Sequence, residues 1–256
     1  MDPRVAVVGF VVGVLVGLTG MGGGALMTPV LILFGWAKPM MAVGTDLLWS
    51  TITKSIGSVV HCRQHTVDLQ IVKRLAIGSI PGALLGLGLL AHLHRESGAA
   101  ADKIVVRMLG VTLVCVALSL IVKMFCGSST QRAVETRKFR GPIWLTALLG
   151  FVVGFLVSLT SVGSGSLIVA CLVVICPTIP LKTIVGSDIV HAVLLVGVSA
   201  VGHMELGSIN VLLLGSLLTG SLPGVWIGSK MSTILPEKVI RPILASTLFF
   251  LGYKLL

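Results

Sequence analysis

Charge is the scarcest property of this chain. Of its 256 residues only 11% are Asp, Glu, Lys or Arg, against about 25% in an ordinary soluble domain. No water-soluble packing scheme hides the apolar remainder. Aromatic residues make up 5%, and no aromatic platform accompanies the scattered basic residues. The net charge of +10 therefore does not point to nucleic acid. The five cysteines, Cys62, Cys115, Cys126, Cys171 and Cys176, form no CxxC pair, so they read as small apolar or inert thiols. HCRQH at 61–65 lacks the further ligands of a zinc site, and neither a metal nor a cofactor is expected. No G-x-x-x-x-G-K-[ST] is present, which removes a phosphate-loop nucleotide site. The start, MDPR, leads into an apolar run that outlasts a signal peptide and shows no A-x-A site, so a cleaved leader is not expected.

Apolar runs dominate what is present. Hydrophobic residues make up 55%, the mean hydropathy is +1.07, and several stretches approach the roughly 20 helical residues that span about 30 Å of hydrocarbon. The sequence predicts an all-α integral membrane protein. It is also duplicated. LTGMGGGAL at 18–26 matches LTSVGSGSL at 159–167, VGTDLL at 43–48 matches VGSDIV at 185–190, and GSIPGALLG at 78–86 matches GSLPGVWIG at 220–228. His61 aligns with His203, and VDL at 67–69 with INV at 209–211. Ordered matches at a nearly constant offset mark a repeat. The predicted organisation is a first membrane repeat, 1–126, a polar linker, 127–142, and a second repeat, 143–256. Each repeat holds a glycine-broken apolar pair followed by three spans.

Basic residues orient the spans. If each broken pair is a hairpin, each repeat crosses an odd number of times and the two are inverted. One side then collects twelve Lys and Arg, including Arg132, Arg137, Lys138 and Arg140 of the linker, and the other collects six. Were each pair one long helix, the split would be ten to eight. The positive-inside bias favours hairpins and a cytoplasmic linker.

Four of the five residues from Gly20 to Gly24 are glycine, in the middle of an apolar run, although each glycine inside a helix costs about 1 kcal/mol relative to alanine. Inverted repeats with interrupted helices characterise secondary transporters, whose sites lie where half-helix ends meet. A helix starting at such a break has unpartnered amides and about half a positive charge at its N-terminus, a combination suited to an anion. Gly20, Gly22, Gly23 and Gly24, with Thr19, and Gly163, Ser164 and Gly165, with Thr160 and Ser161, form the expected substrate cradle. Thr45 and Ser187 adjoin it. Close helix packing is the competing role for such small residues.

Asp46 and Asp188 occupy equivalent positions inside spans, where a carboxylate is by default functional. Coupling or gating, with His191 one turn beyond Asp188, stands beside an N-cap role. Lys54 has no mate, since its equivalent is Val196. It is either an anion contact or half of a buried ion pair. His61 and His203 fall near span ends, where water is expected. Pro81 and Pro223, in matching GSxPG motifs, are expected hinges.

These elements, the glycine-rich break, GTDLLWSTITKSIGSVVH, GSIPG, GSDIVHA and GSLPG, resemble the TauE/SafE sulfite-exporter family of bacterial transporters over nearly the whole chain. The resemblance implies a bundle of inverted repeats in the bacterial inner membrane and a small anionic substrate such as sulfite, sulfoacetate or a related organosulfonate. Transport by alternating access, with proton coupling through the aspartates, is the expected activity. An anion channel with the same site and a cation or proton-coupled carrier built on Asp46 and Asp188 are the alternatives. No nucleophile–base set supports an enzyme. The partners expected are the substrate, the lipid bilayer and, at most, a second copy as a homodimer.

Overall fold

The computed structural model describes residues 3–19, 24–125, 142–176, 179–231 and 237–256. These residues form ten helices and no strand: α1 Pro3–Thr19, α2 Gly24–Leu33, α3 Pro39–Arg63, α4 Leu69–Glu96, α5 Gly98–Phe125, α6 Ile143–Thr160, α7 Ser166–Ile175, α8 Leu181–Glu205, α9 Val211–Met231 and α10 Glu237–Leu255. Among the described residues five helices, α4, α5, α6, α8 and α9, are long and apolar enough to cross a membrane. The protein is an all-α, multi-pass membrane protein. Helices α2 and α7 have 10 residues each, a rise of about 15 Å, half of the roughly 30 Å hydrocarbon core. The linker expected at 127–142 lies outside the described residues apart from Pro142.

The sequence matches between the two halves pair α1 with α6, α2 with α7, α3 with α8, α4 with α9 and α5 with α10. Helix α1 packs on α9 and α6 packs on α4, while α3 pairs with α8 and α5 with α10. Each half therefore lends its first helix to the fourth helix of the other half. Two apolar cores result, one around Val12, Met27, Leu113 and Leu217, the other around Leu75, Val157, Ile168 and Leu195. Helix α3 contributes Trp49 to the first and Val43 and Leu47 to the second.

Small residues let these crossings form, since association in lipid relies on close backbone approach. A Cβ on Gly220 would strike the Ala6 carbonyl of α1, and one on Gly224 the Phe10 carbonyl. In the other half a Cβ on Gly78 would strike the Ala147 carbonyl of α6, and one on Gly82 the Phe151 carbonyl. The glycines of both GSxPG motifs are thus contact surfaces. Pro81 and Pro223 are exposed, on the opposite side of helices that run unbroken through them.

Hydrogen bonds between halves repeat the same exchange. The Trp49 indole Nε1 donates to Ser221 Oγ at 2.7 Å, and at the equivalent place His191 Nε2 bonds Ser79 Oγ at 2.7 Å. The Asn210 amide donates to Thr45 Oγ1 at 3.1 Å, and the Asp68 amide to Ser187 Oγ at 2.8 Å. His61 Nδ1 lies 2.9 Å from Thr66 Oγ1, and His203 Nδ1 lies 3.0 Å from Ser208 Oγ.

Two expectations change here. Asp46 and Asp188 are each the eighth residue of their helix, starting from Pro39 and Leu181, so neither is an N-cap. The prolines at 39 and 180 set the helix starts well upstream. His203 is fully buried rather than facing water; its Nε2 lies 2.9 Å from the Ser158 carbonyl of α6.

Gly220→Val and Gly78→Val are expected to lower stability by about 1–3 kcal/mol each through overpacking. Gly88→Ala, whose added Cβ meets nothing within 4 Å, serves as the near-neutral control in a detergent thermal melt. Ser221→Ala and Ser79→Ala each remove one matched strut and are expected to cost about 1–3 kcal/mol by leaving Trp49 or His191 unsatisfied, measured in the same melt.

Candidate functional site

Around the α6–α7 break, polar groups gather inside an apolar bundle. Helix α6 ends at Thr160, and Ser161 takes the left-handed conformation with φ 61° while its amide bonds the Val157 carbonyl. Gly163 and Gly165 have φ of 112° and 149°, values that glycine adopts without strain. The Gly165 amide bonds the Gly163 carbonyl at 2.9 Å. The Ser164 carbonyl is answered from the other half. Lys54 of α3 donates from Nζ to Ser164 O at 2.8 Å and to Ser164 Oγ at 2.7 Å. Charge-assisted bonds of this length are among the stronger polar contacts.

Asp46 and Asp188 are buried and both act electrostatically on Lys54. Asp46 stands two turns before Lys54 on α3, and Thr28 of α2 donates to its Oδ2 at 2.6 Å. Ser161 approaches the same carboxylate without closing a hydrogen bond to it, and the α2 N-terminus closes in on the break, where a Cβ on Gly24 would strike the Ser161 carbonyl. That contact brings the start of α2 against the break in the second half. His191, one turn beyond Asp188 and also within electrostatic reach of Lys54, is fixed through its Nε2 by Ser79.

Four buried polar atoms here have no hydrogen-bond partner: Asp46 Oδ1, Ser50 Oγ, Ser161 Oγ and His191 Nδ1. Their residues are at most 3% exposed. An unsatisfied buried polar group costs about 1–3 kcal/mol, so each of these atoms calls for an explanation.

The expected residues divide accordingly. Lys54, Ser161, Ser164, Asp46, Asp188, His191 and Gly24 converge. Gly163 and Gly165 shape the break. Thr160 spends its hydroxyl on the Leu156 carbonyl at 2.7 Å. Thr45 and Ser187 tie down the entries to α9 and α4. Gly20, Gly22, Gly23 and the Thr19 side chain lie outside the described residues. Thr28 was not singled out by sequence, having no counterpart in the other half; Ser79 and Ser221 were legible only as parts of a repeated motif. An open cavity of about 380 Å³ lies elsewhere, lined by Pro39, Asp102, Lys103, Val106, Arg107, Leu255 and Leu256, and contains none of the expected residues.

Comparison with known proteins agrees with this architecture. Residues 5–255 match the family described as Sulfite exporter TauE/SafE. The chain is similar to the "Probable membrane transporter protein YjnA" of Bacillus subtilis (strain 168), 45% identical over 177 residues, which is 65% of each chain. It is 26% identical over 181 residues, 64% of each chain, to the "Probable membrane transporter protein YunE" of the same organism. The chain thus spans just under two thirds of these relatives' lengths. No solved structure matches. The family and both relatives are described as transporters and not as enzymes. A family match over almost every residue, on an all-helical membrane fold, places the chain in the TauE/SafE sulfite exporter family.

Proposed function

We propose that the chain is a secondary transporter for a small sulfur oxyanion or organosulfonate, with sulfite and sulfoacetate as the leading substrates. It works in the bacterial inner membrane by alternating access between two inverted repeats, with the central linker on the cytoplasmic side. The observation that carries the reading is the Lys54 ammonium held on the α6–α7 break beside the orphaned hydroxyls of Ser50 and Ser161. One fixed positive charge, free hydroxyl donors and the start of α2 lying against Ser161 are complementary to an oxyanion. The twelve-to-six division of basic residues supports the inside position of the linker.

Asp46 and Asp188 give the site its coupling. Two carboxylates and one ammonium carry one net negative charge when all are ionised, so an incoming anion is favoured when a proton accompanies it. A proton gradient then drives the anion in either direction.

Proteoliposome uptake of labelled sulfite and sulfoacetate tests this. Lys54→Gln is expected to lower the initial rate at least tenfold, about 1.4 kcal/mol or more of lost stabilisation. Ser161→Ala is expected to lower it about fivefold, for one hydrogen bond. Asp46→Asn and Asp188→Asn are expected to leave flux that no longer follows the pH gradient. Absence of flux from the wild type, together with no thermal shift for any small anion, defeats the proposal.

A further inference from the structure

Lys54 contacts the break through acceptors, not donors. A backbone carbonyl at an unwound helix end and a serine hydroxyl are oxygen groups of the kind that hold a hard cation, and unwound carbonyls hold sodium in other interrupted-helix carriers. Here Ser164 supplies the carbonyl and the hydroxyl at 2.8 and 2.7 Å from Nζ, and Asp188 and Asp46 supply the counter-charge. Asp46 Oδ1 remains without a hydrogen-bond partner although the residue is fully buried. A lysine ammonium is a compact point charge on a flexible stem, so it substitutes for a monovalent ion more closely than a guanidinium does.

The residues of α2, Gly24–Leu33, and of the break, Ser161–Gly165, include no ionisable side chain. Helix α8 contributes Asp188 and His191, and α4 reaches the cluster through Ser79 on the far side of the imidazole. The equivalent of Lys54 in the second half is Val196, fully buried among apolar residues.

We propose that Lys54 is a tethered cation: its ammonium fills a monovalent-cation site at the α6–α7 break, ligated by the Ser164 carbonyl and hydroxyl with the buried Asp46 and Asp188 as more distant counter-charges, and shortening Lys54 opens that site to sodium or a small alkylammonium. The wild-type protein thus binds no free alkali cation there. In its consequence for transport, that the carrier needs no sodium, the inference rests on the carrier reading above; the cation site itself does not.

The test is a thermal melt of the purified full chain in detergent, without any sulfur anion. Chloride salts of sodium, ethylammonium and N-methylglucamine are compared at equal ionic strength. The wild type is expected to melt at the same temperature in all three. Lys54→Ala is expected to melt lower in N-methylglucamine and to recover by about 3 °C or more in sodium or ethylammonium. Lys54→Ser, which leaves a hydroxyl at the vacated place, is measured alongside and is expected to respond in the same way should the alanine protein not fold. A sodium-specific rise in the wild type overturns the proposal. Indifference of both variants to the cation, folded or not, overturns it equally. Because no anion is present, these outcomes are separate from success or failure of the flux assay.

Discussion

A helix interrupted inside an apolar bundle leaves backbone groups that water cannot reach, and the rest of this site is arranged around that constraint. At the α6–α7 break the demand is met locally where possible. Ser161 turns its amide back to Val157, and Gly165 turns its own to Gly163. The Ser164 carbonyl is met by Lys54, from the other half of the chain. One bond therefore joins the two repeats at the point where the backbone is least regular. Any rearrangement that moves α3 relative to α6 and α7 has to break that bond or carry it along.

The scaffold holding this point is stiff for a different reason. Its main crossings, α1 on α9 and α4 on α6, are backbone against backbone, with glycine on one or both helices. Contacts of that kind have little side-chain freedom to absorb motion. The flanking struts, Trp49 to Ser221 and His191 to Ser79, pin α3 and α8 to the fourth helices of opposite halves. Glycine therefore has two separate uses in one sequence. In the GSxPG segments it admits a neighbouring helix; at Gly163 and Gly165 it permits a backbone turn that other residues resist.

Much of this was legible beforehand. The helical segments among the described residues, the short α2 and α7 included, follow from hydrophobic runs and glycine motifs. The convergence of Lys54 with both aspartates was readable only in part. Helical spacing put Asp46, Ser50 and Lys54 near one face, but no spacing rule says that this face meets the break of the other repeat. The cross-repeat struts were illegible for the same reason: a repeat gives equivalences within the chain, not which copy packs on which. Position misled at two places. The aspartates looked like caps because they stand near span starts, yet Pro39 and Pro180 begin the helices a full two turns earlier. His203 looked solvated because it ends a span, yet the α8 end is enclosed by Ser158 and Ser208.

The struts are paired across the repeats, and the chemistry is not. Trp49 answers to His191, Thr45 to Ser187 and Asp46 to Asp188, each pair holding the same place. Lys54 answers to Val196 and Ser50 to Ala192, so the ammonium and the Ser50 hydroxyl have no counterpart in the second copy. Electrostatics accounts for the difference. A second ammonium in the same bundle would repel the first, and each would need its own desolvation offset. A single lysine is favoured electrostatically by both equivalent carboxylates. Under the carrier reading this asymmetry is useful: a near-symmetric frame can exchange its two faces while one cation stays at the centre, so the site keeps the same charge whichever side is open.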